Sequence, residues 1–124
     1  MNTNYPVICH YEDGKYWSEF PDLDGCFSQG DTEQEIINNS HESLEGYLIS
    51  LLENGQDIPT PSKLTDIKVG KNDFLSYIDC DLSMRGKCVR KNVTIPEWLD
   101  KKAEKAGLNF SQILKEALIA AICS

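Results

Sequence analysis

The chain has 124 residues and 14.0 kDa, with 40% hydrophobic, 26% charged and 9% aromatic residues, enough for a modest core and too little for a large multidomain enzyme. Its formal net charge of −8 is unevenly placed: residues 1–84 hold four lysines and no arginine against sixteen acids, a net −12, whereas residues 85–124 hold eight basic residues against four acids, a net +4. The reversal divides an acidic body (residues 1–82) from a basic tail (residues 88–124) across a linker at 83–87, and such asymmetry points to two modules with different partners. No run approaches the length of a membrane span, and Met1 to Pro6 lacks a basic-then-apolar leader, so a cytoplasmic protein is expected.

In chain order, Tyr5 to Tyr11 and Tyr16 to Phe20 are β-rich runs joined by Glu12-Asp13-Gly14-Lys15, a tight hairpin turn. Pro21 to Gly25 reads as a turn and Cys26 to Gln29 as a third strand, which completes a meander. Asp31 or Thr32 caps the next segment, with Thr32 and Glu35 in capping-box spacing. Ile36, Ile37, Leu44, Tyr47, Leu48, Leu51 and Leu52 then form one helical stripe, ended by Gly55. After Ile58-Pro59-Thr60-Pro61, the stretches Thr65 to Val69 and Phe74 to Leu82 predict one or two further strands, one of them central. The fold class is α+β: a small sheet with one covering helix.

Chemistry in this module is sparse. Carboxylates at Glu12, Asp13, Glu19, Asp22, Asp24, Asp79 and Asp81 have the oxygen ligands that Mg²⁺ prefers, but nothing in their spacing makes them converge. His10 and His41 have no serine or cysteine at motif spacing, and Cys9 and Cys26 have no basic neighbour to activate them. The five cysteines are scattered without a C-x-x-C pair and are expected to be reduced, structural thiols. No catalytic residue, metal or cofactor is expected. An acidic face repels nucleic acid and attracts basic proteins, which nominates Glu12, Asp13, Glu19, Asp22 and Asp24 for a protein-binding surface.

In the tail, Cys88 to Ile95 alternates: Val93 and Ile95 point one way, Arg90, Asn92 and Thr94 the other. Pro96 stops this strand and opens a helix carrying Leu99, Ala103 and Ala106, closed by Gly107. Asn109 caps a second helix with Phe110, Ile113, Leu114, Ala117, Leu118, Ala121 and Ile122 on its apolar side. A lone strand with two helices is not a finished domain. Dimerisation completes it: two strands pair antiparallel, and Arg90, Asn92 and Thr94 of both chains line a ribbon narrow enough for the major groove. Lys91, with Arg85, Lys87, Lys101 and Lys102, adds attraction to the DNA backbone. Asn109, Phe110 and Ser111 begin a helix whose free N–H groups suit a phosphate.

Val93-Thr94-Ile95-Pro96-Glu97 followed by Gly107-Leu108-Asn109-Phe110-Ser111-Gln112-Ile113-Leu114 resembles the ribbon-helix-helix repressors, over about the last third of the chain. Tyr5-Pro6-Val7-Ile8, Glu12-Asp13-Gly14, the run from Phe20 to Thr32, and Ile58-Pro59-Thr60-Pro61-Ser62 resemble the amino-terminal domain of HicB antitoxins. That resemblance implies a partly RNase H-like domain that masks a HicA toxin, a basic ribonuclease that cleaves mRNA. It further implies a carboxyl-terminal domain that binds operator DNA as a dimer, possible tetramers included, and represses the toxin–antitoxin operon. Some members carry helix-turn-helix tails; Pro96 directly after an alternating strand favours the ribbon type. Lys91 stands where ribbon strands are often apolar. Two other readings are a divalent-metal nuclease using residues 12–24 or Asp79 and Asp81, and a ligand-sensing ribbon-helix-helix repressor.

Overall fold

The computed structural model describes residues 2–82 and 86–123, which fall into two units, Asn2–Gly86 and Lys87–Ser124. Part of the expected linker, residues 83–85, with Arg85 of the expected basic patch, lies outside the described residues.

In the first unit, β1 (Asn2–Glu12), β2 (Lys15–Glu19), β3 (Phe27–Gly30) and β4 (Phe74–Asp81) form one antiparallel sheet in the order β3-β2-β1-β4. The β1–β2 register pairs Glu12 with Lys15, so Asp13 and Gly14 alone make the turn, both at positive φ (52° and 78°), the backbone of a primed hairpin. Tyr5, Val7 and Cys9 of β1, Ser18 of β2, and Ile78 and Cys80 of β4 are buried on one face, the period-2 signature of a half-covered sheet.

Helix α1 (Glu33–Glu53) covers that face with Ile36, Ser40, Leu44 and Leu48, each buried and four residues apart. Ser40 replaces an apolar residue in this row because its Oγ meets Ser18 Oγ at 2.7 Å and donates to the Ile36 carbonyl at 2.5 Å, so the buried hydroxyls satisfy one another. At the helix start Thr32 Oγ1 accepts the Glu35 N–H at 3.1 Å, while Glu35 Oε2 accepts the Asp31 N–H at 2.8 Å. Gly30 is a close approach: a Cβ there would stand 2.7 Å from the Ile36 nitrogen.

One expectation is narrowed and one corrected. No described residue of Thr65–Val69 is in a strand; Leu64–Asp66 is a single 3₁₀ turn. Only Ile67 and Val69 alternate there, and the flank of β1 that such a strand needs is taken by β4. β4 itself is an edge strand, paired with β1 alone, rather than central. The loop between α1 and β4 is fastened instead by side chains: the Ser62 N–H and Oγ donate to the Asp22 carboxylate at 2.9 and 2.5 Å, and the Tyr5 hydroxyl donates to the Pro59 carbonyl.

The second unit contains α2 (Glu97–Lys105) and α3 (Phe110–Cys123). α2 ends in a Schellman motif: the Gly107 N–H reaches the Glu104 carbonyl at 3.0 Å and the Leu108 N–H reaches the Ala103 carbonyl at 3.1 Å, with Gly107 at φ 71°. Asn109 Oδ1 accepts the Gln112 N–H at 3.0 Å and caps α3. None of the described residues of this unit is buried. Val93, Trp98, Leu118 and Ile122 all stay more than half exposed, so the single chain gives the unit no core of its own.

Candidate functional site

The amino-terminal unit carries an open depression of about 790 Å³ where the hairpin tip, β3 and the start of α1 meet. Strand parity builds its floor. Trp17 stands opposite Gln29, and Glu19 opposite Phe27, so Trp17 and Phe27 share the sheet face turned away from α1. Phe27 is 60% exposed, the most exposed large apolar side chain described in this unit. Glu12 and Asp13 enter from the hairpin, Asp31 and Glu35 from the helix start, and Lys15 is the single basic residue of the lining. The Tyr16 hydroxyl is bonded to Glu33, and its pKa is raised by burial first and by the Glu33 charge second.

The backbone of β3 is partly closed. Phe20 donates to the Cys26 carbonyl, which fixes the ladder so that Phe27 and Gln29 turn their polar groups away from β2. Helix α1 meets them: Ser43 Oγ donates to the Phe27 carbonyl at 3.1 Å and Asn39 Nδ2 to the Gln29 carbonyl at 2.7 Å.

The five acids nominated from sequence are thereby sorted. Glu12 and Asp13 stand on the rim of the depression. Glu19 is engaged by His10 Nε2 at 2.8 Å, while His10 Nδ1 meets Asp73 at 2.9 Å and its ring stacks on Trp17 with centroids 4.1 Å apart. Asp22 is occupied by Ser62, and Asp24 is exposed in the turn before β3. Trp17, Phe27, Asp31 and Glu35 were not nominated for the surface from sequence; hairpin parity and the capping box contain the signal, but only the fold joins the two. Burial pushes the Cys9 and Cys26 thiols up to about 11, far from the range of an activated nucleophile.

In the second unit Arg90, Lys91, Asn92 and Thr94 are exposed within 88–95, a stretch that forms no ladder in the single chain. Phe110 and Ser111, after the Asn109 cap, are exposed as well. On α2, Lys101 pairs with Glu97 at 3.0 Å, both side chains largely exposed, and Lys102 lies 5.8 Å from the Trp98 ring centroid. No described helix is long and apolar enough to cross a membrane.

Comparison with known proteins places this geometry in a family. "Antitoxin HicB 1" of Photorhabdus laumondii is 30% identical over 108 residues, 86% of this chain and 61% of that protein. Among solved structures, a toxin–antitoxin complex from Streptococcus pneumoniae superposes with a TM-score of 0.63 at 27% identity, covering 98% of this chain and 99% of that one. The antitoxin HicB of Burkholderia pseudomallei gives 0.63 at 27% identity over 96% and 98%. The family described as HicB-like antitoxin of bacterial toxin–antitoxin systems matches residues 5–118, and the chain belongs to it.

Proposed function

We propose that the chain neutralises a HicA-type mRNA-cleaving toxin through its acidic amino-terminal unit and, as a dimer of carboxyl-terminal units of the ribbon-helix-helix type, occupies operator DNA and represses its own operon. The observation that carries the second half is the tail without a core: a segment at 88–95 outside any ladder, a Schellman-closed helix and a capped helix, none of whose described residues is buried in one chain. A second copy supplies both the missing strand and the missing apolar cover. The net −12 of residues 1–84 suits a basic, RNA-binding target, and the net +4 of residues 85–124 suits phosphate. In this reading the first unit is the partly RNase H-like module of the family and acts by binding rather than by catalysis.

In the paired ribbon Arg90, Asn92 and Thr94 face the groove: arginine grips guanine by two bonds, asparagine grips adenine, and threonine meets either a polar edge or a thymine methyl. Lys91 and the α3 start at Asn109, Phe110 and Ser111 contact phosphates. Gel-shift titration on the chain's own promoter tests this. Replacing Arg90 and Asn92 together with alanine removes about 1–3 kcal/mol of base discrimination per contact, so sequence-specific retention is lost while the thermal melt stays unchanged. Unchanged retention refutes the assignment.

A further inference from the structure

We propose that the depression beside β3 receives a basic segment of a partner protein, its apolar or planar portion laid against the exposed Phe27 ring and its arginine or lysine head groups held by the carboxylates at the hairpin end. The inference rests on the reading above, in which that partner is the toxin, and it locates the contact on this chain.

The chemistry of the lining selects the occupant. Four carboxylates, Glu12, Asp13, Asp31 and Glu35, face a single lysine, so an acidic segment is repelled. A purely apolar segment would cover Phe27 but strip water from carboxylates and leave them unpaired. A segment carrying guanidinium or ammonium groups satisfies both parts of the surface: its cationic heads bond carboxylate oxygens at the hairpin end and its flat or aliphatic portions cover the aromatic ring.

The backbone argues against the other common mode of docking. An added strand on β3 needs outward carbonyls as acceptors, and those of Phe27 and Gln29 already accept from Ser43 and Asn39. Side-chain insertion leaves these bonds intact. Of the acids nominated outside the depression, Glu19 and Asp22 are held by His10 and Ser62, whereas within it only Glu35 has a partner named above, the Asp31 N–H.

The test measures binding of the full chain to the small basic HicA-type protein encoded beside it, by titration calorimetry at low and high salt. The double variant Glu12→Lys with Asp31→Lys weakens binding at least about tenfold, whereas Asp57→Lys with Asp66→Lys, which changes net charge equally at exposed sites elsewhere, stays within about twofold. Phe27→Ala, at a position too exposed to hold the fold, weakens binding by about tenfold even at high salt, where screening removes only the charge contribution. Equal loss in both charge-reversal pairs, or an unaffected Phe27→Ala chain, overturns the site. Absence of binding by the unaltered chain instead overturns the antitoxin reading on which it rests.

Discussion

Shortening Ile113 to alanine asks directly whether the carboxyl-terminal unit is completed by a second copy. In the single chain Ile113 keeps 45% of its surface exposed. Truncating a side chain in that state costs at most about 1 kcal/mol. If a second chain covers the remainder, the same change removes transfer energy and leaves a cavity, about 2–5 kcal/mol per copy. Two copies carry the substitution and each free chain already loses up to about 1 kcal/mol, so association weakens by at least about 2 kcal/mol, roughly thirtyfold in dissociation constant. Sedimentation equilibrium of the full chain reads this constant. In parallel, the melting temperature of the unaltered chain rises with concentration from about 1 to 100 μM, as mass action requires of a folded dimer. A chain that sediments as a monomer throughout that range, or an Ile113→Ala variant with unchanged association, refutes the reasoning.

Further outcomes follow from local features. Thr32→Ala removes the acceptor of the Glu35 N–H and lowers the stability of the amino-terminal unit by about 1 kcal/mol in urea titration; no change would mean the cap is not formed in solution. Gly107→Val meets open space but forces a β-branched residue to φ 71°, costing about 1–2 kcal/mol from backbone conformation alone and lowering the melting temperature of the tail. Cys9 and Cys26 ionise near 9.0 when unfolded and are pushed up to about 11 by burial, so the fold holds their protonated forms. Their contribution is complete below pH 9 and declines as pH rises toward 11. The urea midpoint therefore falls across that window, and less steeply in a Cys9→Ala, Cys26→Ala chain. Exposed Cys88 reacts with a thiol reagent at pH 8 while Cys9 and Cys26 do not until the chain unfolds.

What local chemistry determines was legible in the sequence. The hairpin at Asp13-Gly14, the Thr32 cap, the stripe of α1 and the two caps flanking Leu108 depend on residues within a few positions of one another, and the structure contains each. Strand order is not local. One of the strands expected within 65–82 was to be central, yet Tyr77 is exposed and β4 lies at the edge, because which strands flank β1 is settled by the whole sheet. Of the one or two further strands expected, the described residues form one, Phe74–Asp81, for the same reason. Ser40 sits in the buried row of α1 because Ser18 lies beneath it, a pairing across 22 positions that no local pattern contains. The depression was illegible as a unit because its lining comes from three segments and its floor includes an apolar residue, Phe27, left in solvent.

The side chains of Asn39 and Ser43 do more than anchor α1. By occupying the carbonyls of Phe27 and Gln29 they seal one margin of the sheet, and the margin at β4 is the other. A layer that can be extended from a single side is monovalent: joined to a copy of itself it has no further place to grow. Joining through this sheet alone therefore stops at pairs, and any larger assembly has to pass through the carboxyl-terminal unit.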